Sequence, residues 1–281
     1  MEWRLISLHQ KSTTMFYKKM LLAALAAALI YGCAKVPITN RKQMNLIPDA
    51  EINSAAVKEY GTFIKENPPV VASDPNAQMV KNIGGKISKA TIQFLNQNKM
   101  SDRVAGYKWE FNLVNEKEAN AWCMPGGKVV VYTGILPITK DETGLAFVMG
   151  HEIAHAVAKH GNERMSQMLL AQTGSLALDV ALAQKPAETR QMYQTAYAIG
   201  AQYGALLPFS RTHESEADKL GMVFMAMAGY DPRQAPEVWK RMAAMGGSKP
   251  PEFMSTHPSD SRRMSDMKKF MAEAMKYYKV K

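Results

Sequence analysis

The spacing of apolar and polar positions divides the chain into helical and extended stretches. From 49 to 67, and again from Pro75, apolar residues recur at about every third or fourth position, which predicts two amphipathic helices. Asp49 is expected to cap the first helix, which ends before Pro68 and Pro69.

The spacing of apolar positions then changes to every second residue. Residues 109–115 alternate, and residues 119–134 place Pro-Gly-Gly between two extended runs, so the sequence predicts a small sheet with a hairpin. Beyond Asp141 the pattern is helical again. The most apolar stretch of this region, residues 169–184, is too short and has too many polar interruptions to span a membrane. We expect it to pack over the helix that carries the sequence HEIAH. The whole pattern predicts an α+β fold, mostly helical, with a small sheet beside that helix.

The amino terminus has the pattern of a secretory signal of the lipoprotein type. Two lysines precede an apolar run that is shorter than the ~20 residues needed to cross a bilayer. The run ends in Ile-Tyr-Gly-Cys, which resembles a bacterial lipobox with Cys33 as the lipidated residue. We therefore expect residues 1–32 to be a signal peptide, 33–48 a linker and 49–281 the functional domain. A plain signal peptide or a short uncleaved anchor is the alternative.

Lipid on Cys33 would attach the protein to a membrane while its domain stays in water. The next residue is Ala34, not the aspartate that favours inner-membrane retention in such lipoproteins. The sequence thus predicts an outer-membrane lipoprotein that faces the periplasm.

Composition and charge narrow the class further. The chain has 281 residues, is 47% hydrophobic and carries a formal charge of +10. Its lysines are scattered, and no basic helix with interleaved aromatics is present, so we expect no nucleic-acid partner. Two cysteines are too few for a disulfide framework.

Candidate chemistry begins with HEIAHAVAKHGNER, residues 151–164, which holds three of the six histidines. On a helix His151 and His155 share a face, so both can bind one metal ion. Glu152 lies about 100° round the helix and can reach a water at the metal without being a ligand, as a general base must. His160 does not match the metzincin spacing, and we expect it to cap the helix end at Gly161 or to support a ligand from behind.

The third ligand of a catalytic zinc then comes from elsewhere in the chain. In HESEAD, Glu214 and Asp218 are four residues apart and share a face, whereas Glu216 lies about 200° from Glu214. Glu214 can bind the metal while Asp218 accepts the outer N–H of a ligand histidine. The alternative is a solvated helix face with three carboxylates.

With these motifs the chain resembles the zinc metallopeptidases that include the CAAX prenyl protease and HtpX. The resemblance rests on residues 151–164, 210–218, 120–134 and 256–263, and it is strongest to the periplasmic lipoprotein members such as LoiP and BepA. It implies a gluzincin with His151, His155 and Glu214 on one Zn²⁺ per chain, Glu152 as the base, and a role in envelope protein quality control.

The hairpin is the expected substrate site, because zinc peptidases commonly bind substrate as an added strand. The candidate edge consists of Asn120, Ala121, Trp122, Cys123 and Met124. An ordinary internal hairpin is the alternative.

His257 is the remaining candidate. It could stabilise a developing oxyanion, or it could occupy the open zinc position and keep the enzyme latent. Alternatively, its His-Pro turn only caps the last helix, with Ser259 at the cap and Arg263 paired to an acid.

The motifs together predict a membrane-anchored zinc endopeptidase that hydrolyses misfolded or misassembled envelope proteins, with an envelope assembly complex as a possible partner. The rival hypothesis is a lipoprotein assembly factor or chaperone with a latent or structural zinc site. An intact Glu152 favours the enzyme, since a structural site needs no base.

Overall fold

The structure is a computed structural model that describes residues 33–202, 206–245, 252–257 and 261–279. The predicted signal peptide, residues 1–32, lies outside these ranges, as does Ser259. Lipidation of Cys33 stays a prediction, as do the domain boundaries.

Helices dominate the described residues, with two small sheets. The strands are β1 (Cys33–Lys35), β2 (Lys42–Met44), β3 (Glu110–Val114), β4 (Ala121–Met124) and β5 (Lys128–Tyr132). The helices are α1 (Asp49–Glu66), α2 (Pro75–Gln97), α3 (Leu136–Thr139), α4 (Glu142–Val157), α5 (His160–Ala181), α6 (Ala187–Ala201), α7 (Leu207–Met227), α8 (Ala235–Ala244), α9 (Glu252–Thr256) and α10 (Ser261–Met275). Short 3₁₀ turns cover Ser101–Val104, Thr133–Ile135 and Pro232–Gln234. The predicted α+β fold is confirmed.

The first two helices begin within a residue of where the sequence predicts, but the predicted Asp49 cap is absent, and the second helix has a cap that was not predicted. In α2, the carboxylate of Asp74 accepts hydrogen bonds from the N–H groups of Asn76 and Ala77. Asp49 does not cap α1, because Pro48 holds the cap position and Asp49 is already helical. Instead, Oδ2 of Asp49 accepts a 2.5 Å hydrogen bond from Nζ of Lys159, beyond the end of α4.

The larger sheet has the strand order β3-β5-β4. The hairpin of β4 and β5 is confirmed as antiparallel, and its turn needs Gly126 and Gly127, whose φ angles are +88° and +84°. β3 adds to β5 in parallel, a pairing that strand periodicity alone could not indicate. This order leaves β4 at the edge of the sheet.

Helices α4 and α7 cross at very short distance. A Cβ atom on Gly221 would lie 2.9 Å from the backbone nitrogen of His151, and one on Gly150 would lie 3.0 Å from the carbonyl oxygen of Gly221. Real Cβ atoms essentially never come as close as the first distance, and the second is tighter than almost all real Cβ contacts, so the crossing depends on Gly221 and is helped by Gly150. The glycines therefore bring the residues of HESEAD against those of HEIAH.

The chain beyond α4 differs from the sequence-based expectation. The helix ends at Val157, and Lys159 takes a left-handed φ of +57°, so Gly161 does not end the helix and His160 opens the next one. The stretch 169–184 does not pack over α4. It pairs with α6 as a helical hairpin, in which the side chains of Leu176 and Val180 are 67% and 78% exposed. Within the described ranges, no helix is long and apolar enough to cross a membrane.

Residues 33–48 are more than a linker. β1 and β2 pair in antiparallel fashion, and the side chains of Val36 and Gln43 are buried. Gln43 Nε2 donates a 2.5 Å hydrogen bond to the carbonyl oxygen of Ala158, at the end of α4. The polar composition of the segment therefore reflects contacts with the region behind HEIAH.

Candidate active site

The two histidines of HEIAH face one point from adjacent turns of α4. His151 is fully buried, and its Nε2 lies 3.1 Å from Nε2 of His155. Two ring nitrogens aimed at the same small volume are the arrangement in which an i, i+4 pair binds a metal ion.

Helix α7 brings a carboxylate to the same volume. Oε2 of Glu214 lies 3.4 Å from Nε2 of His151, and Oε1 lies 3.3 Å from Nε2 of His155. Glu214 is buried, so the carboxylate is not on a solvated face. Two histidines and a glutamate are one of the protein ligand sets of catalytic zinc sites.

A fourth donor comes from the end of α9. Nδ1 of His257 lies 3.0 Å from Oε2 of Glu214 and 3.3 Å from Nε2 of His151. One ligand atom from each of His151, His155, Glu214 and His257 lies within 4.8 Å of all the others. The cluster could therefore hold a metal ion with all four side chains.

Glu152 stands beside this cluster rather than in it. Its Oε1 is buried and accepts no hydrogen bond from any residue that the structure describes; Nε2 of His257 lies 3.5 Å away. Burial raises the pKa of the Glu152 carboxyl to about 7, the Glu214 charge adds to the rise, and His257 and Arg263 oppose it. An unpartnered buried oxygen is costly unless water or an ion completes its surroundings, so the residues present fit a bound metal with water.

Asp218 supports His151 from behind. Its Oδ1 lies 3.0 Å from Nδ1 of His151, within ion-pair distance but not aligned as a hydrogen bond, and it accepts hydrogen bonds from Nη2 of Arg263, at 2.7 Å, and Nε1 of Trp239, at 3.2 Å. Arg263 Nε donates to the other oxygen at 2.8 Å, and Nη1 lies 3.0 Å from Oε2 of Glu214. Arg263 is thus paired to an acid, as expected if the His257 turn only capped the last helix. His257 itself, however, lies in the metal-ligand cluster.

His160 supports the other histidine. Its Nδ1 lies 3.0 Å from Nδ1 of His155, and its Nε2 lies 3.1 Å from Oε2 of Glu216. Burial lowers the pKa of His160 to about 4, so the ring is neutral near pH 7. His160 therefore bonds to the ring of His155 and does not cap α4.

The charges of the cluster suit metal binding. Burial lowers the pKa of His155 well below its usual value, which keeps the ring neutral. Burial would raise the pKa of Glu214, but its contacts with His155, His151 and His257 hold it well below normal. For His151 burial acts in the opposite direction, and the contacts with Asp218 and Glu214 raise its pKa above normal. A neutral imidazole and a carboxylate are the forms that bind a metal, so the pKa shifts of His155 and Glu214 favour binding, whereas His151 must give up its proton to the solvent when a metal binds.

A cleft of about 730 Å³ connects this cluster with the sheet edge. Glu152, His155, Glu214 and His257 line it. The predicted edge residues line it as well: Asn120, Ala121, Trp122, Cys123 and Met124. Their place at the edge matches the expectation, while substrate binding there stays a prediction.

The sequence analysis assigned no role to several charged residues near the site. They form a second cluster around the partly buried Arg41, which pairs with Glu163 at 2.6 Å and with Glu216 at 2.9 Å, and His213 lies 2.8 Å from Glu163. The sequence does contain a signal, because His160-x-x-Glu163 and His213-x-x-Glu216 repeat one spacing. In the structure each histidine bonds to the glutamate of the other motif.

Comparison with known proteins identifies the family. The model of peptidase family M48 matches residues 89–271. The mitochondrial metalloendopeptidase OMA1 of Schizosaccharomyces pombe is 37% identical over 248 residues, which are 85% of this chain and 66% of that protein. The mitochondrial metalloendopeptidase OMA1 of Homo sapiens is 28% identical over 246 residues, 85% of this chain and 46% of that protein.

A bacterial relative is also similar. The beta-barrel assembly-enhancing protease of Escherichia coli strain K12 is 25% identical over 265 residues, 89% of this chain and 51% of that protein. The chain thus spans between about half and two thirds of the length of these three relatives.

These relatives correct two expectations. The outer-membrane, periplasm-facing location is contradicted by the relatives of higher identity, which are named as mitochondrial. The narrower likeness to the CAAX prenyl protease, HtpX and LoiP is not confirmed, whereas the broader family is. The chain belongs to peptidase family M48, and the OMA1 relatives that it matches are named as metalloendopeptidases.

Proposed function

We propose that the protein is a zinc-dependent endopeptidase that cleaves unfolded or misassembled proteins. The observation that carries the proposal is the group of His151, His155 and Glu214 beside the buried, unpartnered Oε1 of Glu152. A structural metal site needs no such base, and it closes the metal off with protein ligands. The names of the relatives support the peptidase activity, and one of them, a beta-barrel assembly-enhancing protease, supports substrates that are still assembling.

Zinc is the metal that this ligand set fits best. His151, His155 and Glu214 offer two nitrogens and one carboxylate oxygen, which is one of the three-ligand sets of catalytic zinc. When bound, zinc polarises a peptide carbonyl and lowers the pKa of water at the site.

The chain supplies the proton transfers. Glu152 takes a proton from a water molecule in the cleft, and this water forms the new bond to the peptide carbon. As the C–N bond breaks, Glu152 returns the proton to the leaving amine, so no group of the protein is consumed. A cation beside Glu152 would favour its ionised form and offset the rise in pKa that burial causes.

Substrate binding is assigned to β4. An extended peptide can add to a free strand edge through backbone hydrogen bonds, and the cleft gives room for alternate side chains. This mode selects unfolded chains, because a folded segment cannot present its backbone in this way.

His257 is assigned to the fourth ligand position, where it would close the site. Its Nδ1 contacts Glu214 and His151 at ligand-like distances, so a substrate carbonyl needs His257 to move away. The same observation favours the second candidate function, an assembly factor or chaperone with a closed metal site.

The test is purified protein with its zinc quantified, incubated with unfolded casein with and without a chelator. We expect about one zinc per chain and cleavage that the chelator stops. The His257→Ala variant is included, because a closed parent protein would cleave slowly. Stable zinc with no cleavage in either protein would favour the assembly factor.

A further inference from the structure

Helix α7 places two further carboxylates behind the proposed ligands. Asp218 reaches His151 directly, with Oδ1 at 3.0 Å from Nδ1. Glu216 points to the other side of the helix, is buried, and makes no contact with a proposed ligand. His160 fills the distance between Glu216 and His155.

The contacts from Glu216 to His155 form a continuous chain. Oε2 of Glu216 lies 3.1 Å from Nε2 of His160, and Nδ1 of His160 lies 3.0 Å from Nδ1 of His155. Nε2 of His155 then faces the metal-ligand cluster, 3.1 Å from Nε2 of His151. Both ring nitrogens of His160 and of His155 face a partner, so the position of the hydrogen on one ring determines its position on the other.

The carboxylate sets the order of these hydrogens. An ionised carboxylate only accepts, so Nε2 of His160 carries a hydrogen and Nδ1 keeps its lone pair. The facing Nδ1 of His155 must then donate, which leaves the lone pair of His155 on Nε2. A metal ligand needs its lone pair on that nitrogen, because Nε2 is the atom in the cluster.

Arg41 holds the carboxylate in place. Its Nε donates to Oε1 of Glu216 at 2.9 Å and its Nη2 donates to Oε2 at 2.9 Å, while Thr39 Oγ1 donates to Oε1 at 2.6 Å. Both oxygens of Glu216 therefore face donors. Arg263 has the same role at Asp218, so each supporting carboxylate is bound by one arginine.

We propose that Arg41, Glu216 and His160 form a positioning relay that fixes the ring orientation and tautomer of His155. The relay rests on the proposed function, because it matters only if His155 binds a metal. Arg41 lies between β1 and β2, so the segment 33–48 contributes to the metal site through this relay. Outer contacts of this kind typically change metal affinity about 10- to 100-fold.

The test compares two glutamates that share Arg41. In Glu216→Gln, one carboxylate oxygen is replaced by an NH₂ group, which donates and cannot accept from Arg41, Thr39 or His160. The hydrogen on Nε2 of His160 then no longer has a defined acceptor. Glu163→Gln weakens the same buried cluster but leaves the contact of Glu216 with His160 intact. Zinc affinity is measured by chelator competition, and the stability of the metal-free proteins by urea unfolding.

We expect Glu216→Gln to weaken zinc binding about 10- to 100-fold, whereas Glu163→Gln loses stability and keeps the affinity of the parent protein. Equal losses of affinity in both variants would reduce the relay to a folding contact. Unchanged affinity in Glu216→Gln would overturn it. A parent protein that binds no zinc would contradict the proposed function instead.

A second pair of variants covers the case in which Glu216→Gln does not fold. His160→Leu removes both hydrogen bonds, while His160→Gln can accept from His155 with its oxygen and donate to Glu216 with its amide. We expect the glutamine to restore most of the zinc affinity that the leucine loses. ¹⁵N NMR of histidine-labelled, zinc-loaded protein should show hydrogen on Nδ1 of His155 and on Nε2 of His160, and hydrogen on Nε2 of His155 would contradict the relay.

Discussion

The substitution Asp218→Asn separates the support of a metal ligand from the stability of the fold. The carboxylate faces His151 Nδ1, two nitrogens of Arg263 and the indole N–H of Trp239. An amide keeps one accepting oxygen and presents N–H groups where the second oxygen stood. Either Arg263 loses a charged hydrogen bond, or His151 loses the acceptor that orients its ring.

The expected magnitudes differ for binding and folding. Loss of an outer partner typically weakens metal binding about 10- to 100-fold, or about 1.4 to 2.7 kcal/mol. Removing one partner of a buried ion pair costs about 3–5 kcal/mol, but Arg263 keeps Glu214 at 3.0 Å, so the loss of stability should stay below that range.

The assay is zinc affinity by chelator competition together with urea unfolding of the metal-free protein. Asp231→Asn is the matched control, because Asp231 also pairs with an arginine, the exposed Arg233, and neither residue lines the cleft. We expect the control to change stability by no more than about 1 kcal/mol and to leave zinc binding unaltered. The reasoning is refuted if Asp218→Asn loses stability while zinc binds as in the parent protein.

Three further predictions address other parts of the site. Glu214→Gln should bind zinc far more weakly and lose activity, because a ligand charge is removed; zinc per chain after dialysis against a weak chelator measures this, and full retention would remove Glu214 from the ligand set. His257→Ala should raise the rate of casein cleavage if His257 closes the site; a fall of roughly 10²-fold would instead assign it to oxyanion stabilisation, and no change would leave it a structural turn. The metal-free protein should lose stability as the pH falls from about 4.5 to about 2. Arg41 and His213 outweigh burial and hold the pKa of Glu163 at about 2, so the unfolded chain takes up a proton at a higher pH than the folded protein does. Glu163 contributes at most about 1.4 kcal/mol per pH unit to this slope, and Glu216, whose pKa is also lowered to about 2, adds its own share, so Glu163→Gln should make the slope shallower in urea unfolding at each pH.

The parts of the site that follow local helix geometry could be predicted from the sequence. His151, His155 and Glu152 are placed by the α-helical repeat alone, and Glu214 and Asp218 by the same repeat on a second helix. The hairpin was predictable because its turn needs two glycines at positive φ.

The contacts between distant segments could not be predicted in this way. Arg41, Glu163 and Glu216 come from three separate segments, and no periodicity of one segment indicates its partner in another. The left-handed Lys159 is a similar case, since a lysine there carries no turn signal, and the expected helix end at Gly161 was wrong for that reason. The helical hairpin of α5 and α6 could not be predicted from amphipathic periodicity either, because it leaves apolar side chains exposed.

The central claim is that Glu152 is the base of a zinc peptidase, and the variant Glu152→Gln tests it most directly. The measurement is zinc per chain and the rate of casein cleavage, for the substitution in the parent protein and in the His257→Ala background. We predict about one zinc per chain in all proteins, because the substitution removes no metal ligand. Cleavage should fall at least about 10²-fold wherever Glu152 is replaced, because the proton transfer is lost. Full zinc with undiminished cleavage by Glu152→Gln would contradict the mechanism.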